Sequence, residues 1–254
     1  MTFATYPSLA GRVVFVSGGA SGIGADIVRA FVRNRARVAF IDKQREAGDA
    51  LASNVGAEGE TPLFVQGDVT DISALRQAIE TARTRLGPIG VLVNNAALDQ
   101  RHAVADVTED FWDAMQDVNL KHHFFAAQAV HPQMKALGGG AIINLSSIAW
   151  RGGAGEMPAY ATAKAGVVGL TRALARAFGP DNIRVNAIEP GAVMTERQRQ
   201  LWFKTQEAVD SVVQKQAIRQ MLLGEEIART VLFLASDDSR MITKQSFTVD
   251  AGLR

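Results

Sequence analysis

The stretch RVVFVSGGASGIG, residues 12–24, decides the fold. Its first half is a Val-rich apolar run of strand length. Its second half places Gly18, Gly22 and Gly24 at the mouth of GADIVRAFVRN (24–34), whose apolar residues recur at helical spacing. Strand, glycine turn and helix in that order bring backbone close to a pyrophosphate: the glycines permit the turn, and free N–H groups at the helix start face the anion. Tight packing alone also explains a glycine-rich turn, so a second signal is needed. Asp42 supplies it, eighteen residues after Gly24 and directly after the next apolar run, ARVAFI (36–41). A carboxylate there accepts hydrogen bonds from ribose hydroxyls and repels a 2′-phosphate, which favours NAD over NADP. Lys43 and Arg45 stand nearby and could neutralise part of such a phosphate, or simply be solvated residues of a helix start.

Outward from this unit the alternation repeats. PLFVQ (62–66), IGVLVN (89–94), AIINLS (141–146), IRVNAI (183–188) and SFTV (246–249) complete seven candidate strands, separated by segments such as DISALRQAIETARTRL with helical periodicity. Strands alternating with helices predict a parallel sheet covered on both faces. The expectation is an α/β, single-domain, doubly wound Rossmann fold: seven parallel strands flanked by helices on both faces. No Pro/Gly/Ser linker or internal repeat interrupts residues 1–254, so the whole chain reads as one NAD-binding domain.

Composition narrows the function. Apolar residues are 47% and charged ones 21% of the 254 residues, an ordinary globular balance. Net charge is +1 with no basic block, which argues against a nucleic-acid or membrane surface. Cysteine is absent, which removes thiol nucleophiles, disulfides and Cys-ligated zinc. MTFATYPSLAGR (1–12) has neither a basic nor an apolar leader segment, and no apolar run reaches 18 residues. The expectation is a cytoplasmic protein with a small-molecule substrate. His122, His123 and His131 read as helix residues rather than metal ligands, and no HExxH-type set calls for a metal.

The chemistry is expected around SSIAWRGGAGEMPAYATAKAG (146–166). Tyr160 and Lys164 are four apart and share a helix face. Taken alone, such a pair is an ordinary exposed one. Here Ser147 ends a predicted strand, where α/β proteins place ligands. A tyrosine acting as a base near neutrality needs its pKa of about 10 lowered by roughly 3 units, or about 4 kcal/mol. A lysine charge about 4 Å away supplies a similar amount at an effective dielectric near 20.

Taken together, SGGASGIG (17–24), GDV (67–69), NNAA (94–97), Asn119, Ser147, YATAK (160–164), PGAV (190–193) and VDAG (249–252) resemble the short-chain dehydrogenase/reductase family along essentially the whole chain. Ser17 stands where threonine is common, and Ala97 where glycine is usual. The resemblance implies that Ser147 hydrogen-bonds the reacting oxygen, Tyr160 moves its proton, Lys164 binds ribose and tunes Tyr160, and Asn119 holds a water. Ser146 is the rival for the serine role, and the thirteen-residue separation from Tyr160 selects Ser147. It also implies cofactor contacts at Gly18, Ser21, Gly22, Ile23, Gly24, Asp42, Asp68, Val69, Asn95, Tyr160, Lys164, Pro190, Gly191, Val193 and Thr195.

Polar residues gather where strand ends and a lid should meet: Asp99, Arg101, His102, Glu156, Glu189 and Arg197, with Trp150 and Trp202 as apolar platforms. With Ser147 and Tyr160 these suit a polyhydroxylated substrate. DQRH…DVT…FWD and PGAVMTERQ resemble the aldose 1-dehydrogenase branch, which implies oxidation of a free pentose or hexose to its lactone. The competing readings are a 3-oxoacyl reductase, against which Asp42 argues, and a non-catalytic NAD(H)-sensing protein, which would need neither Ser147 nor Tyr160. A helical lid is expected over 195–221, and the resemblance implies a homotetramer.

Overall fold

All seven apolar runs lie in one parallel sheet of order β3-β2-β1-β4-β5-β6-β7. The structure is a computed structural model and describes residues 3–57 and 59–253. Its strands are β1 (Val13–Ser17), β2 (Arg37–Asp42), β3 (Leu63–Gln66), β4 (Ile89–Asn94), β5 (Gly140–Leu145), β6 (Ile183–Pro190) and β7 (Ser246–Val249). Between and after them run α1 (Gly22–Arg33), α2 (Arg45–Gly56), α3 (Ile72–Leu86), α4 (Glu109–Gln116), α5 (His122–Ala136), α6 (Ala149–Gly152), α7 (Pro158–Phe178), α8 (Glu196–Leu201), α9 (Gln206–Val213) and α10 (Gly224–Ala235).

The pleat of β1 divides the core. Val14 and Val16 pack with Ile27 and Phe31 of α1 and Val231 of α10, while Val13 and Phe15 pack with Ile79 of α3, Val130 of α5 and Leu174 of α7. Strands covered on both faces read as continuous apolar runs, which is why they were visible in the sequence. The order of connection reverses between β1 and β4, opening a crevice beyond the strand C-termini, where such sheets bind ligands.

Several boundaries differ from the sequence reading. β2 continues to Asp42, which pairs with Gln66, and β6 continues to Pro190 because Glu189 and Pro190 pair with Thr248 and Val249 of β7. Glu189 is therefore a strand residue. The expected lid is two short helices, α8 and α9, and its remaining residues, 214–221, are not helical. Thr195 and Thr205 start these helices by accepting the Gln198 and Ala208 N–H groups, each at 3.3 Å. His122, His123 and His131 all lie on α5. Among the described residues no helix is long and apolar enough to cross a membrane. Arg254 lies outside the described residues.

Candidate active site

The phosphate-binding turn is built by two left-handed glycines, Gly18 at φ 67° and Gly22 at φ 54°. A Cβ on Gly24 would sit 1.9 Å from the Gly18 carbonyl oxygen and 2.7 Å from Asn95 Nδ2, so the turn closes only around glycine. Ser21 is the N-cap of α1 and makes no side-chain cap bond, which leaves the first N–H groups of the helix available to an anion. Thr195 approaches from the lid: its Cγ2 lies 3.4 Å from where a Gly22 Cβ would be. Asp42 is buried. Its Oδ2 accepts the Ala20 N–H at 3.0 Å and its Oδ1 accepts the Gln44 N–H at 3.0 Å. Gln44 Nε2 also donates to Ser21 Oγ at 3.2 Å, so carboxylate and turn form one rigid unit. This donor set fits a dinucleotide, with helix N–H groups for pyrophosphate and a carboxylate for ribose.

Asn95 ties the turn to β4, with Nδ2 donating to the carbonyls of Ser17 and Gly18 at 3.1 and 2.8 Å. Val69 is buried and Asp68 exposed, the latter accepting the Thr70 N–H and hydroxyl at 2.9 and 2.8 Å. Ile23 is half-buried at the start of α1. Pro190 and Gly191 end β6 against β7, and Gly191 N–H donates to the Val249 carbonyl. Val193 pairs with Leu222, which fixes the approach to Thr195.

Next to this cradle stand the four candidate catalytic residues. Ser146 is buried and donates to the Lys164 carbonyl at 2.7 Å, which resolves the rivalry between the serines: its hydroxyl is spent fastening β5 to α7. Ser147 Oγ accepts the Ala149 N–H at 3.1 Å, and the Ser147 side chain stands close enough to the Tyr160 phenol to favour its ionised form. Asn119 lies on a π-helical turn, Asp117–Lys121, between α4 and α5. Its Oδ1 accepts the Leu98 N–H at 2.9 Å, while Nδ2 donates to the carbonyls of Leu98 and Met115 at 3.1 and 2.9 Å. That double clasp fixes the chain leaving β4.

Lys164 is anchored to β5. Its Nζ donates to the Leu145 carbonyl at 2.8 Å and stands 5.7 Å from the Tyr160 ring centroid. Burial pushes Lys164 down to about 7, with Asp99 opposing, and pushes Tyr160 up to about 12, with Ser147 opposing and Asp99 adding. Desolvation thus disfavours the charged form of each group. Nearby, burial first and then the Lys164 charge push His122 down to about 3, so its ring is neutral.

At the mouth, polar side chains hold one another. Arg197 Nε donates to Asp99 Oδ1 at 3.2 Å, and Gln198 Nε2 donates to Asp99 Oδ2. The Arg101 guanidinium lies 3.9 Å over the Trp202 ring. Asp99 and Arg197 are thus brought together, as are Arg101 and Trp202, and Asp99 is also held by Gln198, which the sequence reading missed. Thr195-x-x-Gln198 is a capping-box pattern, a readable signal, but the Gln198 side chain is diverted from the helix start to Asp99.

One expectation is corrected. Glu189 is fully buried: it accepts from Arg151 Nε and from Arg151 Nη2 at 2.9 Å, and takes the Ser246 hydroxyl, so it cannot face a substrate. Trp150 is covered by the Arg151 guanidinium at 4.5 Å. Glu156 is exposed, and its carbonyl accepts the His102 N–H at 2.8 Å. His102 braces the first turn of α7: Nε2 accepts the Ala159 N–H at 3.5 Å and Nδ1 lies 3.0 Å from the Gln100 carbonyl.

The chain is similar to known proteins along essentially its whole length. The family model described as "Enoyl-(Acyl carrier protein) reductase" matches residues 18–254. A protein of Rhizobium meliloti (strain 1021) named "Probable galactose dehydrogenase GalD" is 49% identical, over 98% of this chain and 97% of its own. D-xylose 1-dehydrogenase of Caulobacter vibrioides is 43% identical over 100% of both chains. A short-chain dehydrogenase/reductase structure from Serratia marcescens BCRC 10948 superposes with a TM-score of 0.89 at 36% identity, covering 97% of this chain and 99% of that one. With a nicotinamide-dinucleotide cradle on this sheet, these likenesses mean that the chain belongs to the short-chain dehydrogenase/reductase family and is an oxidoreductase.

Proposed function

We propose that this protein oxidises the anomeric hydroxyl of a free aldose to the lactone with NAD. The observation that carries the reading is Asp99. Its carboxylate sits close enough to Tyr160 and Lys164 to act on both electrostatically, and is gripped by Arg197 and Gln198 of the lid. A charged, hydrogen-bonding mouth suits a polyhydroxylated ring and not an acyl chain. The two sugar dehydrogenases similar over their full length support the same substrate class.

In this scheme Ser147 hydrogen-bonds the C1 oxygen and Tyr160 removes its proton. Asp99, with Arg197 and Gln198, orients the other hydroxyls, and Arg101 on Trp202 closes the lid over the ring. Lys164 and Asn119 hold the site's geometry and lead the proton away. A nicotinamide cofactor held in the cradle would supply the hydride acceptor for C1 and, when oxidised, a positive charge that favours ionisation of the Tyr160 phenol. The Asp42 carboxylate supports NAD over NADP. A single domain and a cytoplasmic homotetramer complete the proposal, with half-exposed Phe124 on α5 available to a subunit contact.

The test is a panel of D-xylose, L-arabinose, D-galactose, L-fucose and D-glucose with NAD and NADP, together with acyl ketones and NADH. Turnover of an aldose to its lactone supports the reading. Reduction of acyl ketones with no aldose oxidised overturns it.

A further inference from the structure

Ser17 Oγ is fully buried at the end of β1 and accepts two backbone N–H groups from the chain leaving β4, Asn95 at 3.0 Å and Ala96 at 3.1 Å. A hydroxyl oxygen has two lone pairs and one proton. With both lone pairs engaged, Ser17 can only donate to its third neighbour, His122 Nε2, at 3.3 Å. Nε2 must then carry a lone pair, and a neutral ring must hold its proton on Nδ1. His122 is fully buried and its ring neutral, and its Nδ1 has no hydrogen-bond partner among the described residues, so the Ser17 contact at Nε2 sets the tautomer.

We infer that His122 is a positioning residue for the cofactor cleft: by accepting the hydrogen bond of the Ser17 O–H, its Nε2 turns both Ser17 lone pairs onto the N–H groups of Asn95 and Ala96. The place of His122 in the fold gives this contact its reach. It follows directly on the π-helical turn Asp117–Lys121, whose Asn119 clasps Leu98. One turn of chain thus fixes both ends of 95–98, Leu98 through Asn119 and Asn95 through His122 and Ser17. Asn95 passes the constraint to the phosphate-binding turn through its bonds to the Ser17 and Gly18 carbonyls. His123, whose ring lies 4.3 Å from that of His122, is buried too. The inference rests on the family and its dinucleotide cradle, not on the aldose reading.

The direct test is long-range 1H–15N NMR of the histidine rings in the native protein. The expected result is His122 protonated at Nδ1 with Nε2 unprotonated. An Nε2-protonated or cationic His122 would overturn the inference. A binding test runs beside it. His122→Gln presents an acceptor near the Nε2 position, whereas His122→Phe keeps the ring volume without one. Dinucleotide affinity, followed by fluorescence of NADH and NADPH in parallel, is expected to fall about tenfold in His122→Phe and in Ser17→Ala, the scale of one buried hydrogen bond. The double variant should fall no further, and His122→Gln should stay near the native value. Equal losses in His122→Gln and His122→Phe, tracking their melting temperatures, would reduce His122 to packing. An error in the NAD preference would change which nucleotide binds, not the ratio between variants.

Discussion

Lys164 Nζ donates to the Leu145 carbonyl at 2.8 Å while standing 5.7 Å from the centroid of the Tyr160 ring. The lysine is thus anchored to the strand that carries the serine, not to the phenol it serves. At that separation, attraction between an ammonium and a phenolate is about 3 kcal/mol for an effective dielectric near 20. Burial opposes it for both groups, and without the oxidised cofactor's charge the tyrosine stays protonated.

Tyrosinate absorbance should show this. The chain has two tyrosines, Tyr6 and Tyr160, so Tyr6→Phe leaves Tyr160 alone. The Tyr160 phenol lies at about 12 in the protein alone. We therefore expect little tyrosinate near pH 10, where free tyrosine is half ionised at about that value. Oxidised cofactor should move the titration to lower pH. A free-tyrosine titration curve in the folded, cofactor-free variant would contradict this picture.

Lys164 makes stability depend on pH with a defined sign. Its folded value is about 7, against roughly 10.4 unfolded. Between these values the unfolded chain binds more protons, so stability rises with pH across the window and is lost as pH falls toward 7. Urea unfolding from pH 7 to 10 should show a component of positive slope that Lys164→Met lacks. Identical slopes in the two proteins would count against it.

Asp42 holds the Ala20 and Gln44 N–H groups in addition to its proposed ribose contact. Asp42→Ala should lower the NAD-to-NADP ratio of kcat/KM by about tenfold or more, the worth of a charge-assisted hydrogen bond. The variant should also lose about 1–2 kcal/mol of stability, because two N–H groups lose their acceptor. An unchanged ratio would remove Asp42 as the discriminating residue.

Glu189 pins Arg151 of α6, just beyond Ser147, to the β6–β7 edge. Glu189→Ala should cost about 3 kcal/mol in urea unfolding, the lower end for breaking a buried pair because Arg151 keeps a side-chain exposure of 34%. kcat should fall as the Ser147 loop loosens, with dinucleotide affinity within about twofold, a difference of roughly 0.4 kcal/mol. A raised aldose KM with unchanged kcat would instead return Glu189 to the substrate.

The sheet was legible because buried parallel strands read as unbroken runs such as VVFV and VLVN, and their C-termini fix where ligands bind. The phosphate turn was legible because Gly18, Gly22 and Gly24 each answer a local backbone demand. Glu189 was misread because its burial depends on β7, about sixty residues away in the chain and added at the sheet edge. Gln198 and Arg151 were missed because their partners, Asp99 and Glu189, are distant in sequence, and no local pattern announces such pairs. The Tyr160–Lys164 spacing was read correctly as one helix face. What spacing could not supply was the desolvation that sets their proton affinities.

The central claim, hydride loss from C1 of an aldose, is tested most directly with deuterium. D-Xylose and D-galactose labelled at C1 would be turned over with NAD by the native protein and by Tyr160→Phe, and the nucleotide and sugar products weighed by mass spectrometry. The account predicts that the native enzyme yields deuterated reduced nucleotide and unlabelled lactone, with Tyr160→Phe slower by about 10²–10⁴. Unlabelled reduced nucleotide, with deuterium retained in the sugar product, would contradict it.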